Sequence, residues 1–355
     1  MKLIWYHIVK IYIRTGLFFF FKKINVYGTD NIPKKGAVLF VSNHKNALID
    51  PLLIATTTTR NIHFLTRASA FKLKLVKWIL STVNMLPIYR LRDGKETLAK
   101  NNEIFNKCYS ILGKKRSLLI FPEGTHDIKR WVRPLSKGFT RITFGALENN
   151  PGLELKIVPV GLNYTKADEF AECVSIYYGE PIHVNPFWNK NKMNTSTTAL
   201  KKIISEKMKE LTTHIEDQEN YETIISNLGR VDFLNPKEVN NLIAEINTNK
   251  LQFQNNNSQT LDKSSNHSFL WKVLKIITSL NSIIPLMIYK AIEPKIQEIE
   301  FVSTTKFAIG ITAFPLFYLL QTLIIYYFFE SIISLVYLVL SVLMILILAQ
   351  TKNND

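Results

Sequence analysis

Two residues in the first fifty carry the types and spacing needed to move a proton. His44 closely follows an apolar run at residues 36–42, within Ser42-Asn-His-Lys-Asn-Ala-Leu-Ile-Asp-Pro51, and Asp50 stands six residues on, where a helix is expected to begin. The end of a strand is where an open α/β sheet places its site. A carboxylate beside a histidine holds the proton on one ring nitrogen and leaves the other basic, ready to take a proton from a hydroxyl. At this spacing alone, a strand-end histidine beside a helix-capping aspartate describes the pair equally well.

Three further clusters repeat the pattern of an apolar run followed by a turn. Phe121-Pro-Glu-Gly-Thr125 follows the run from Ser117, so Glu123, Gly124 and Thr125 fall on a tight loop that proline and glycine allow. Lys129, Arg130, Arg133, Lys137 and Arg141 crowd the stretch after that loop. Leu86-Pro-Ile-Tyr-Arg90 ends an apolar segment on arginine, a side chain whose fork matches phosphate. Ile157-Val-Pro-Val-Gly161 puts a proline inside a strand, which by itself means an edge or a bend. Taken singly, these are a turn, a solvated basic face and a strand end.

The elements that must position these residues alternate. Strands are expected at 36–42, 117–121, 156–164 and 174–178, and helices at 71–83, 95–112 and 137–148, which gives an α/β layer architecture, a mixed sheet flanked by helices. Residues 189–247 are polar and helical in pattern, and 248–268 are an Asn-, Gln- and Ser-rich linker.

The ends differ in kind. Residues 307–329 and 331–349 are uncharged runs separated by Glu330, each long enough to cross a hydrocarbon core of roughly 30 Å. They predict a transmembrane hairpin whose outer ends, flanked by Lys295, Lys306 and Lys352, face the cytoplasm. Residues 1–23 are aromatic and basic without a cleavable-signal layout, and predict a helix in the membrane interface, or else a core helix of the domain. Residues 269–292 contain Pro285 and three lysines, and predict an interfacial or kinked re-entrant segment.

Composition narrows the classes. Of 355 residues, 44 are Lys or Arg and 28 Asp or Glu, a net charge of +16 that implies an anionic partner. The basic residues are spread and no nucleic-acid motif accompanies them, which points to an anionic membrane lipid rather than to nucleic acid. Cys108 and Cys173 are the two cysteines, which excludes a disulfide framework.

In combination and in this order, the four clusters resemble the glycerolipid acyltransferases, specifically the 1-acylglycerol-3-phosphate (lysophosphatidate) acyltransferase family. The resemblance rests on Asn43-His44…Asp50, Pro87-Ile-Tyr-Arg90, Phe121-Pro-Glu-Gly-Thr125 and Val158-Pro-Val160, and covers residues 24–182. It implies an acyltransferase domain at 24–188 and phospholipid synthesis as the setting. His44 would be the general base on the acceptor hydroxyl and Asp50 its orienter, with no acyl-enzyme, no metal and no cofactor. Acyl-CoA or acyl-carrier protein would be the co-substrate. Arg90 would hold the acceptor phosphate, with Glu123, Gly124 and Thr125 near the glycerol, and Pro159 would shape the wall. Arg67 stands where relatives often carry a lysine, and Lys137 adds a further cation.

Three departures bear on the acceptor. Five residues separate His44 from Asp50 instead of the usual four, about 100° of extra rotation on an ideal helix, which the strand-to-helix turn must absorb. Some glycerol-3-phosphate acyltransferases share that spacing. His126 and Asp127 replace the arginine that often follows the Phe-Pro-Glu-Gly-Thr run, so Arg130 or Arg133 is expected to supply the charge. Arg67 in place of lysine keeps the charge. The alternatives are a glycerol-3-phosphate or lyso-aminolipid acyltransferase, and a non-catalytic membrane lipid-binding scaffold. The Ile-, Lys- and Asn-rich composition suggests a bacterial inner membrane.

Overall fold

The computed structural model describes residues 2–71, 74–89, 99–247 and 269–352. Arg90 and the linker at 248–268 lie outside the described residues. The eight described strands are β1 (Lys23–Tyr27), β2 (Ala37–Ser42), β3 (Ile62–Arg67), β4 (Met85–Ile88), β5 (Ser117–Ile120), β6 (Leu155–Tyr164), β7 (Cys173–Tyr178) and β8 (Ile182–His183). They form one sheet in the order β1-β7-β6-β2-β5-β3-β4, with β8 added to β6. Pairing is parallel except where β6 meets β7 and β8. The mixed α/β sheet expected from sequence is the one observed.

β2 is buried at every position, which is why it reads as an unbroken apolar run rather than an alternation. Its residues serve two cores. Val38 and Phe40 face a cluster with α1 (Lys2–Phe20) and α2 (Ile49–Thr57), including Leu17, Phe20, Leu53 and Ile54. Leu39 and Val41 face the other, with α4 (Asn101–Gly113) and α5 (Gly138–Asn149). α3 (Lys74–Thr82) precedes β4. α6 (Met193–Leu211) buries Leu200, Ile204 and Met208 in this second cluster, so its apolar stripe belongs to the core of the sheet. α7 (Tyr221–Leu228) and α8 (Pro236–Asn247) form a smaller core of their own around Ile215, Tyr221 and Val239.

The sequence pattern does not predict β1, β3, β4 and β8. β4 has four residues and contains Pro87, which is tolerated because β4 ends the sheet. Pro159 corrects a different expectation. β6 is an interior strand, and Pro159 pairs with Val41 of β2 on one side. On the other side the neighbour changes from β8 at residues 156–157 to β7 at 160–164. The missing N–H falls at that seam, where the Pro159 carbonyl accepts from Gly179 N at 2.9 Å.

Among the described residues, three helical segments are long and apolar enough to cross a membrane: Leu3–Phe20, Ile299–Phe328 and Ser331–Thr351. α1 docks one side, with Gly16 beside Phe307 and so close to Ile311 that a Cβ would collide, and exposes Leu3, Ile4, Ile8 and Ile11 on the other. α9 (Phe269–Asn281) and α10 (Ile283–Ile292) meet at an 85° bend. The break falls at Ser282 rather than at Pro285, which sits in the first turn of α10, where a helix has no use for its N–H. Side chains of α11 (Val302–Phe328) and α12 (Ser331–Thr351) satisfy the bend: Gln321 donates to the Asn281 carbonyl at 3.3 Å, Tyr337 to Asn281 Oδ1 at 2.9 Å, and Ser282 and Tyr318 share a 2.6 Å bond. Both outer ends of the α11–α12 hairpin return to the sheet domain. Lys306 donates to the Asp168 carbonyl at 3.1 Å, and Lys352 reaches Glu169 and Glu172, each at 2.6 Å.

Candidate active site

The six residues between β2 and α2 form an irregular loop, and they absorb the long His–Asp spacing. Asn43 prolongs the ladder with side-chain atoms: its Nδ2 donates to the Leu162 carbonyl at 2.9 Å and its Oδ1 accepts from Leu162 N at 2.8 Å. That fixes the backbone one residue before His44. Asp50 lies in the first turn of α2 but does not cap it. Its carboxylate turns back to the loop, where Oδ2 takes His44 Nδ1 at 2.8 Å and the amides of Lys45 and Asn46, both at 2.7 Å. Tyr164, at the end of β6, donates its hydroxyl to the other oxygen. Burial and the neighbouring Asp50 hold that phenol well above its usual range, so it remains a donor.

Asp50 is fully buried, and so many donors offset the cost of keeping a carboxylate from water. With Nδ1 committed to Asp50, His44 has Nε2 left for a substrate proton. Phe121 stacks on the ring at 4.0 Å, and His44 lines a cavity of about 1340 Å³.

The Phe-Pro-Glu-Gly-Thr loop touches the first loop directly, with Asp127 N donating to the His44 carbonyl at 3.0 Å. Gly124 adopts φ +77°, a region that side chains disfavour, with open space around it, so its need for glycine is conformational. The Glu123 side chain is fully buried and is taken up by Arg133, with Nη2 at 3.0 Å and Nε at 3.2 Å from Oε2. Arg133 also donates to the Thr125 side chain and carbonyl. Burial pushes the Glu123 carboxyl up, while Lys45 and Arg133 pull it back. Arg130 is spent inside the protein, on the Tyr164 and Thr165 carbonyls and the Phe233 ring. Of the two arginines expected to supply the missing charge, Arg133 is the one at this loop. Lys45 is buried and pushed down to about 8 by desolvation, and it ties the loop to the Lys129 and Trp131 carbonyls.

Arg67, at the end of β3, and Lys137, just before α5, line the same cavity as His44, Glu123, Gly124 and Thr125. Arg141, which sequence reading leaves in a basic crowd, lines it too. Phe105, Tyr109, Ile142 and Phe144 add apolar and aromatic wall. A cavity with cations in its lining and an apolar stretch suits an amphiphile with an anionic end.

Three contributors are invisible in the linear sequence: Tyr164, Phe301 and Thr304, the last two also lining the cavity. The fold further gathers His126, Glu298 and Glu300 within 4.8 Å of one another, where the sequence shows no cluster for a metal. The two carboxylates approach different ring nitrogens, Nε2 at 3.6 Å and Nδ1 at 3.8 Å.

Residues 23–163 match the family model described as acyltransferase. The 1-acyl-sn-glycerol-3-phosphate acyltransferase of Borreliella burgdorferi is 29% identical over 177 residues, 48% of this chain and 64% of that protein. Glycerol-3-phosphate O-acyltransferase 2 of Saccharomyces cerevisiae is 26% identical over 125 residues, 35% of this chain and 17% of that protein. A crystal structure of the 1-acyl-sn-glycerophosphate (LPA) acyltransferase from Thermotoga maritima aligns at 19% identity and a TM-score of 0.35, over 52% of this chain and 71% of that one, too loosely to add to the topology above. The matches span less than two thirds of the length of both curated relatives. The matched stretch contains β1 to β5 and nearly all of β6; β7, β8 and the helices from α6 onward lie beyond it.

Proposed function

We propose that this protein transfers a fatty acyl group from a thioester donor to the hydroxyl of lysophosphatidate, giving phosphatidate at a membrane. The observation that carries the reading is the His44–Asp50 pair, its carboxylate buried and saturated with donors, on the wall of a large cavity whose lining mixes cations with apolar side chains. His44 Nε2 takes the acceptor proton as the oxygen attacks the thioester carbonyl. Asp50 holds Nδ1–H and stabilises the imidazolium. Collapse of the tetrahedral intermediate expels the donor thiolate, which recovers the proton from His44. An enzyme thiol is a poor candidate for an acyl carrier, because Cys108 is buried with its thiol pushed up to about 12.

Arg90, Arg67 and Lys137 hold the acceptor phosphate in this reading. Glu123 acts through Arg133 to shape the loop beside the glycerol. The donor is acyl-CoA or acyl-carrier protein. The hairpin spans the membrane and keeps the site on the cytoplasmic face. The His-x5-Asp spacing and the yeast relative's name favour a second acceptor, glycerol-3-phosphate.

The test is acyl transfer by the purified full chain in detergent, with both acceptors and both donors, against His44→Ala. Transfer to lysophosphatidate that disappears in the variant supports the reading. Transfer to glycerol-3-phosphate alone moves the acceptor assignment. A His44→Ala protein that turns over like wild type defeats the mechanism.

A further inference from the structure

The loop 43–48 is mostly buried, so its amides need partners within the protein. Asp50 takes those of Lys45 and Asn46. It does not reach the next two. Ala47 N donates instead to the Glu300 carbonyl at 3.3 Å, and Leu48 N to Thr304 Oγ1 at 3.1 Å. The same Thr304 hydroxyl donates to Asn46 Oδ1 at 2.8 Å, which also receives Ile49 N at 3.4 Å, while Asn46 Nδ2 donates to the Ala167 carbonyl at 2.9 Å. The segment that takes these amides leads into α11. It reaches the base by a second path: Phe301 lies edge-on to His126 at 5.1 Å, and His126 lies edge-on to His44 at 5.4 Å. The whole segment lies outside residues 23–163.

We infer that residues 298–304, the head of the apolar hairpin, complete the catalytic loop, with Thr304 as a positioning residue. The inference rests on the reading of His44 and Asp50 as the working pair. The loop is clamped from two directions, by Asp50 within and by Thr304 and Glu300 from outside. The outside clamp holds the amides that a five-residue spacing leaves beyond the reach of Asp50. Thr304 acts through Asn46 and Leu48 and not on substrate chemistry. Its loss should therefore reach turnover more than substrate affinity, since the base must be held within a fraction of an ångström of its working position.

The experiment compares Thr304→Val, which keeps shape and loses the hydroxyl, with Thr304→Ser, which keeps the hydroxyl. Both are made in the full chain, purified in detergent and assayed beside wild type and His44→Ala. The expected result is a kcat lowered about tenfold or more in Thr304→Val, KM for both substrates within about threefold, and kcat restored to within about threefold of wild type in Thr304→Ser. Amide hydrogen exchange of residues 43–50 should quicken in Thr304→Val and not in Thr304→Ser. Should the valine variant fail to fold, Thr304→Ala against Thr304→Ser makes the same comparison. Wild-type kcat in Thr304→Val overturns the inference, as does a serine variant as damaged as the valine one. Activity that survives His44→Ala defeats the catalytic reading instead. Activity lost in His44→Ala yet intact in Thr304→Val defeats only the role of Thr304.

Discussion

Replacing Asp50 with asparagine separates charge from geometry at the proposed catalytic pair. Asparagine fills the same volume, and its oxygen can still accept from the amides of Lys45 and Asn46 and from His44 Nδ1, all now within 2.8 Å of Asp50 Oδ2. Its NH₂ then faces the Tyr164 hydroxyl, which can turn to accept. The loop should therefore stay in place, and the unfolding midpoint should remain near that of wild type. What is lost is the negative charge beside the imidazolium. At a charge separation of about 4 Å and an effective dielectric of about 20, that interaction is worth roughly 4 kcal/mol. At 1.36 kcal/mol per decade, kcat should fall about a thousandfold. In the proposed mechanism Asp50 acts only through His44, so in a His44→Ala background the same substitution should cost less than about threefold. Steady-state acyl transfer on wild type, both single variants and the double variant gives the cycle. Retention of more than about a tenth of wild-type kcat in Asp50→Asn, or losses that simply multiply in the double variant, would refute the reasoning.

Arg133→Met should strand Glu123 in the interior and destabilise the protein by about 3–5 kcal/mol, read by chemical or thermal unfolding, with Glu123→Gln/Arg133→Met recovering much of the loss. Burial already raises the Glu123 carboxyl in the wild-type fold, and losing Arg133 raises it further, so this destabilisation should deepen as pH rises past the usual carboxylate range, where the wild-type group ionises, and ease toward acid. A penalty independent of pH would mean that Glu123 is not buried and paired as described. Alkylation at pH 7 with N-ethylmaleimide should leave acyl transfer untouched, since both thiols are buried and that of Cys108 is pushed up to about 12; inactivation would bring a thiol into the mechanism.

The features legible in the sequence are those whose parts lie close together in it. The placement of His44 after a buried strand and of Asp50 at a helix start needs only ten residues, and the alternation that gives an α/β sheet is likewise local. Tyr164 cannot be found that way, because a tyrosine closing a strand usually has no duty beyond packing. Glu123 and Arg133 are visible, but a basic run normally lies in solvent, and only the fold shows this arginine turned inward onto a buried carboxylate. Pro159 misleads for a related reason. A proline argues against an interior strand unless the neighbouring strand changes at that residue, and a partner change is a property of the sheet. Arg67 and Lys137 lie on the cavity wall together with Arg141, which the sequence gives no reason to single out from its neighbours.

The two lysine anchors carry a mechanical consequence. Lys306 at the start of the hairpin and Lys352 at its end are both bonded to residues 168–172 of the domain. A hairpin so tethered is a strut, and if it spans a bilayer as proposed, the apolar lengths of α11 and α12 set how far the domain stands from the hydrocarbon. In that arrangement a thinner bilayer would make a longer part of the strut tilt or emerge, and a thicker one would draw the domain inward. Phe301 and Thr304 head the same strut and line the cavity, so in the proposed membrane-spanning arrangement the height of the cavity above the lipid would follow bilayer thickness.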